Sequence, residues 1–481
     1  MSTNNSGKNH NQENNHKGIQ AETDRMKQRF VNPQYRRFLN ITQIMVFSND
    51  MEYDNNEVTP TIGAFYATIG KKNTKYNCFR EEGQDSFPTA RHIHQVTPEE
   101  EEVLLRDNNV PQYKNSSEYK TNCLANTPTK RICDSLFSFN RFHFLLKYGI
   151  AYVDYPNGLQ KHIMRYQQMF ASLAIRQQIS EGATSGVVWH TQGSGKTALS
   201  FYLTYVLSDY YSKKNMVAKF YFIVDRIDLL EQAKQEFESR GLVVSTANTK
   251  AELMAQFRNN QAQQGTSGHQ EITVVNIQRF AEDKEKVDLP AYATNLQRIF
   301  IMDEAHRGYK PGGCFLANLF DADPNSIKIA LTGTPLLKAD CASSVVFQRY
   351  FHTYYYDRSI ADGYTLKIIR EDIETSYKER LSEVYDKLET HVQKKDIKRS
   401  QIIEHDSYVG ELARYIAADL TQFRKIQGDE TLGGMVICET SEQARKLYEA
   451  FQNLNDGGEA KTIQIKLDGN EWMVANAIPM I

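Results

Sequence analysis

Apolar residues never run long enough in this 481-residue chain to cross a bilayer, since a membrane helix needs about 18 or more in succession. The first twenty residues are mostly Asn, His, Lys and Ser and hold no apolar signal-peptide core. These absences predict a soluble, cytoplasmic protein without a membrane partner, with a disordered leader over 1–30. The six cysteines (Cys78, Cys123, Cys133, Cys314, Cys341 and Cys438) form no CxxC pair, which argues for reduced thiols and against a disulfide scaffold or zinc site. GxSxG and HExxH do not occur, and His92 and His94 stand without further ligands at metal spacing, so serine-hydrolase and zinc-peptidase chemistry lack support. There is no basic excess either. The formal net charge is −2, so a nucleic-acid groove would have to be a local patch.

What is present reads as globular: 40% hydrophobic and 24% charged residues, in a length that suits about three domains of roughly 150 residues. The stretch "FLNITQIMVFSND" (Phe38 to Asp50) predicts a buried strand and "AFYATIG" (Ala64 to Gly70) a second. Charged and aromatic helical stretches follow between Glu99 and Gln160, with a boundary near Asn157. From Lys161 the pattern changes. "SGVVWH", "AKFYFIVD", "EITVVN", "QRIFIMD" and "SIKIALTGT" are short apolar runs alternating with amphipathic helices, the signature of a parallel, doubly wound α/β sheet. Ala251 to Glu271 reads as a helix running into a surface loop, and Glu371 to Arg399 as a charged helical linker. "GGMVICETSEQARKLYEAF" (Gly433 to Phe451) then restarts a strand–turn–helix unit that the remaining residues are too few to complete. The expected division is 31–157, 158–370, a linker over 371–405 and a partial lobe over 406–481.

Three words carry chemistry. In "VVWHTQGSGKTALSFYL" a strand enters a glycine-rich turn and a helix begins at Lys196. Gly193, Ser194 and Gly195 let backbone N–H groups turn inward around phosphates, and the helix start adds its positive dipole end. Lys196 supplies a point charge and Thr197 a hydroxyl for Mg²⁺. The plain GxxxxGK[ST] pattern wants glycine where the chain has His190. In "RIFIMDEAHRG", Asp303 and Glu304 follow an apolar strand, where a parallel sheet presents residues at its carboxyl edge. One carboxylate can hold Mg²⁺ and the other orient the attacking water. In "IALTGTP", Thr332 and Thr334 end a further strand and are positioned to bond across to those carboxylates.

In order, "GSGKT", "VDRIDLLEQ", "VVNIQRF", "DEAHRG" and "LTGTP" resemble motifs I, Ia, Ib, II and III of superfamily 2 helicases. The flanking words "VVWHTQGSGKT", "FIVDRIDLLEQ", "DEAHRGYKPGG" and "RSIADGYTL" are similar to the restriction (R) subunit of type I restriction-modification enzymes. The resemblance implies a RecA-like P-loop motor lobe, an endonuclease-like α/β region before it, and the start of a second RecA-like lobe after it. It implies ATP with Mg²⁺ as cofactors, double-stranded DNA as partner, and a complex with modification (methyltransferase) and specificity subunits. Arg226 and Gln278 fall in motifs that contact DNA backbone in related motors. "MRYQQMFA" (Met164 to Ala171) resembles the adenine-reading element, with Gln167 the first candidate and Gln168 its alternative. Two features depart from the family. No strand before Phe38 ends in the nuclease Glu-x-Lys, and "EDKEK" (Glu282 to Lys286) lies within the motor. No counterpart of the γ-phosphate-reaching arginine follows Phe451. The expectation is a chain shorter than the family's at both ends. Two other readings stay open: an unrelated superfamily 2 DNA or RNA helicase, and a fragment that binds nucleotide without turning it over.

Overall fold

The computed structural model describes residues 24–47, 64–66, 76–82, 96–123, 135–156, 158–258, 270–276, 295–303, 320, 323–334, 349–365, 379, 382–383, 402–429, 431–454, 461–466 and 472–477. The leader through 23, His92, His94, Gln278, Glu282 to Lys286, Glu304 and most of the expected linker lie outside these residues. The chain divides into two compact units, Met1–Lys367 and Ile368–Ile481. Among the described residues, no helix is long and apolar enough to cross a membrane.

The expectation of a disordered leader over 1–30 fails from residue 24 on: residues 24–31 are helical and bury Met26 and Phe30 in the core, because apolar side chains within a polar stretch can still pack on a neighbouring core. The first unit continues with α1 (Arg36–Ile41) and a three-stranded antiparallel sheet of β1 (Val46–Phe47), β2 (Ala64–Tyr66) and β3 (Tyr76–Cys78). The long strand predicted from Phe38 is therefore mostly something else. Phe38 and Ile41 lie on α1 and are exposed, and only Val46 and Phe47 pair with β2. Apolar content over that stretch was shared between a helix and a strand, which a short run cannot distinguish by periodicity. Helix α2 (Pro98–Asp107) starts with a reciprocal capping box. Thr97 accepts from the Glu100 amide, and Glu100 accepts from the Thr97 amide. Helix α3 (Phe139–Tyr148) then leads into an antiparallel hairpin of β4 (Ile150–Tyr155) and β5 (Gly158–Ile163), which pair along their length on either side of position 157.

Beyond the hairpin come α4 (Tyr166–Ser180), β6 (Ser185–His190), α5 (Lys196–Ser212), β7 (Val217–Val224), α6 (Ile227–Glu238), β8 (Val243–Ala247), α7 (Lys250–Arg258), β9 (Glu271–Asn276), β10 (Leu296–Met302), β11 (Ile327–Thr332), β12 (Tyr350–Tyr354) and α8 (Tyr356–Ala361). The strands form one seven-stranded parallel sheet in the order β12-β6-β11-β10-β7-β9-β8. Every residue of β10 and β11 is buried, as expected of central parallel strands covered on both faces. Charges buried in the sheet are satisfied near the beginnings of β10 and β7. Arg298 pairs with Asp323 at 3.1 Å, and Lys219 donates to the Gln256 carbonyl at 2.8 Å. Strand β12 buries Phe351 and Tyr354 while Tyr350 and, just after it, Tyr355 and Tyr356 are exposed.

The second unit holds α9 (Asp406–Gln427), α10 (Ser441–Asn453) and an antiparallel pair, β13 (Lys461–Lys466) with β14 (Trp472–Ala477). Val409 and Ala413 of α9 pack on Leu447 and Phe451 of α10. Thr440 caps α10 by accepting from the Gln443 amide. The strand predicted before that helix does not form: Gly433 to Cys438 carry no strand pairing, and Met435 and Ile437 are exposed. A strand exists only through bonds to a neighbour, and the described residues supply none beside this segment.

Candidate nucleotide site

The strand order determines the site. β11 lies between β6 and β10, so the loop after β6 and the carboxylate after β10 emerge one strand apart on the sheet's carboxyl edge. Trp189 of β6 pairs with Thr332 of β11, and Met302 of β10 pairs with Ala330. Asp303 follows directly, its amide donating to the Ile223 carbonyl at 2.9 Å. The Trp189 indole N–H donates to the Gly333 carbonyl at 3.2 Å, stitching the phosphate-loop strand to the "LTGTP" turn. In that turn the Thr334 amide donates to the Thr332 hydroxyl at 3.2 Å.

Gly193 and Gly195 both occupy the left-handed region, at φ +78° and +84°, where a side chain would be strained. Helix α5 begins at the next residue, so its unpaired amides face the loop. The Lys196 ammonium donates to the His190 carbonyl at 3.3 Å, which curls the side chain back over the loop. The hydroxyls of Thr191 and Ser194 are buried without a protein partner. Buried polar atoms normally find partners, so orphan hydroxyls beside two left-handed glycines and a lysine fit a phosphate ligand. Thr197 and Asp303 contribute hard oxygen donors, the type Mg²⁺ prefers. Among the described residues no cluster of three or more His, Cys, Asp or Glu is arranged to hold a metal.

His190, the departure from the plain loop pattern, is the last residue of β6, and its ring is fully buried beside β12. Its Nε2 lies 2.8 Å from Nδ1 of His352, whose Nε2 lies 2.6 Å from the Glu82 carboxylate. Because the carboxylate accepts, His352 donates to it from Nε2. Nδ1 of His190 is buried without a partner. Burial, and then the neighbouring His352 and Lys196, hold the His190 imidazole well below its usual range. Glycine is not needed at 190 because the side chain points into the β12 interface instead of over the loop.

The two glutamines of "MRYQQMFA" separate clearly. Gln168 donates from Nε2 to the Gly195 carbonyl at 2.8 Å and accepts the Arg165 amide at 2.9 Å. Arg165 in turn donates to the Gly193 carbonyl at 2.9 Å and stacks 4.1 Å over the Tyr364 ring. Gln167 is fully buried in α4, with neither side-chain atom partnered. Geometry thus joins Gln168 to the phosphate loop, although Gln167 is the first candidate on sequence. Arg226, exposed at the start of α6, sits away from these contacts as its N-cap. Sequence reasoning missed Arg80, Glu82, His352 and Asp362. Asp362 lies in a word already singled out, "RSIADGYTL", and no local spacing signals a role for the others.

Comparison with known proteins places residues 167–401 in a match to the SWI2/SNF2 ATPase family. A type I restriction enzyme endonuclease subunit of Staphylococcus aureus (strain COL) is 28% identical over 301 residues, which are 61% of this chain and 30% of that protein. The endonuclease subunit of the Haemophilus influenzae type I enzyme HindI is 32% identical over 200 residues, 39% of this chain and 18% of that one. The chain therefore spans less than a third of these curated relatives. A solved fragment described as an HsdR subunit of a type I restriction enzyme from Vibrio vulnificus YJ016 is 17% identical with a TM-score of 0.34, covering 69% of this chain and 51% of that one.

Proposed function

We propose, from a chain whose residues 167–401 match the SWI2/SNF2 ATPase family and whose curated relatives are type I restriction endonuclease subunits, that this protein is the ATP-driven DNA-translocating part of such a subunit. The observation that carries the proposal is the one-strand spacing of the glycine loop after β6 and Asp303 after β10, with orphan hydroxyls beside two left-handed glycines. The loop amides and Lys196 bind the β- and γ-phosphates of ATP. The Thr197 hydroxyl and the Asp303 carboxylate hold Mg²⁺, and Glu304 orients and deprotonates the attacking water. Mg²⁺ supplies charge that offsets the build-up on the phosphoryl oxygens. Gln168 reads the adenine edge while tying itself to Gly195. Thr332 and Thr334 link hydrolysis to movement, and Arg226 and Gln278 grip the DNA backbone.

On this reading double-stranded DNA is the track, modification and specificity subunits are partners, and the cytoplasm is the compartment. The three-stranded sheet before the motor belongs to an endonuclease-like region. The test is ATP binding and hydrolysis by the purified chain, with and without duplex DNA, beside Lys196→Ala. DNA-stimulated turnover that disappears in the variant supports the proposal. Equal nucleotide binding by both proteins would refute the loop assignment. Binding lost in the variant, with no turnover in either protein, would restrict this chain to nucleotide binding.

A further inference from the structure

We propose that Arg80, contributed by the antiparallel region before the motor, is a positioning residue for the adenine-reading end of the nucleotide site, acting through Asp362 and Tyr166. This rests on the assignment of Gln168 as the adenine reader. The Asp362 carboxylate is fully buried and receives three donors from three parts of the chain. Arg80 Nε donates to Oδ1 at 2.5 Å, and Oδ2 accepts the Tyr166 hydroxyl and, at 2.7 Å, the Tyr354 hydroxyl. Tyr166 is the first residue of α4, two positions before Gln168. Its phenol, held protonated by burial and by Asp362, remains a donor.

The anchor therefore fixes the first turn of α4, and that turn aims Gln168 at the Gly195 carbonyl. The segment carrying Arg80 is itself clamped to the motor. Phe79 packs at 6.4 Å between ring centroids on both Tyr166 and Phe170. Glu82 meets His352 and, at 3.2 Å, Arg358. Removing one partner of a buried ion pair leaves the other uncompensated and its geometry less defined. Without Arg80, Asp362 would lose its cation and keep the two phenols, and the hydroxyl of Tyr166 would lose its fixed acceptor. The consequence is graded loss of nucleobase discrimination, because hydrogen-bond readout depends on placement to fractions of an ångström.

The experiment measures the affinities of the full chain for fluorescent ATP and GTP analogues and for inorganic triphosphate, together with thermal unfolding. Its variants are Gln168→Ala, Arg80→Ala, Arg80→Lys and Tyr166→Phe. Gln168→Ala is expected to lower the ATP-to-GTP preference on the order of tenfold. Arg80→Ala should lower it about 3- to 10-fold with triphosphate affinity retained, and Arg80→Lys should recover part of the loss. Should Arg80→Ala not fold, Tyr166→Phe removes the same link by one hydroxyl and carries the same expectation. If Gln168→Ala alters the preference while the folded Arg80 and Tyr166 variants keep it within twofold, whatever their unfolding temperature, the positioning role is overturned. If Gln168→Ala itself leaves the preference unchanged, the adenine assignment fails and this inference falls with it.

Discussion

Replacing Gly195 by alanine tests the phosphate loop at its most constrained point. A Cβ there would stand 2.5 Å from the Gln168 side-chain nitrogen, on a backbone at φ +84°. The left-handed conformation costs a non-glycine residue about 1–2 kcal/mol. Gln168 can swing aside, but only by giving up its bonds to the Gly195 carbonyl and the Arg165 amide, each worth about 0.5–1.5 kcal/mol. Together these predict a loss of about 2–5 kcal/mol in the first unit, read as a lower urea midpoint by circular dichroism. A loop that rotates to relieve the strain also turns an amide away from phosphate. One charge-assisted hydrogen bond, about 1.5–3 kcal/mol, corresponds to roughly 10- to 150-fold weaker binding of a fluorescent ATP analogue. Stability within about 0.5 kcal/mol of the parent, with affinity within twofold, would refute the reasoning, since neither strain nor displacement would then be present.

Two further predictions follow from buried charge. Burial, then Arg240 and Arg165, push the His162 imidazole down to about 4 from 6.5, so the unfolded chain takes up its proton first. Stability should be complete above pH 6.5 and fall as pH drops towards 4, by up to about 3 kcal/mol at 1.36 kcal/mol per unit. His162→Phe should flatten the slope in urea titrations between those values; an unchanged slope would remove His162 from the account. Asp323→Ala should cost about 3–5 kcal/mol by leaving the Arg298 guanidinium buried without its carboxylate. ATP affinity should hold, because Arg298 lies five residues, roughly 16 Å, back along β10 from Asp303, and a parallel fall in affinity would show that the two ends of the strand are coupled.

The parallel sheet was legible in the sequence because its central strands are continuous apolar runs, and a strand buried on both faces cannot be written otherwise. The glycine loop and Asp303 were legible for a related reason. Their chemistry depends on backbone freedom and on the position just past a strand, both local properties. The single long strand from Phe38 and the strand at Gly433 were misread, since short apolar stretches do not reveal whether a neighbour will pair with them. Which of Gln167 and Gln168 bonds the loop was not legible in the sequence, because adjacent residues of a helix face about 100° apart and only the packing of α4 brings Gln168 to the Gly195 carbonyl. His190 in place of glycine became intelligible only through His352 of β12, 162 residues downstream, which receives its side chain and is itself held by Glu82, 108 residues upstream of His190. Local pattern thus determined the sheet, the phosphate loop and the carboxylate edge. Tertiary structure alone decided how Arg80, Glu82, His352 and Asp362 surround them, because hydrogen bonds between distant residues follow from how the chain packs and leave no periodicity in it.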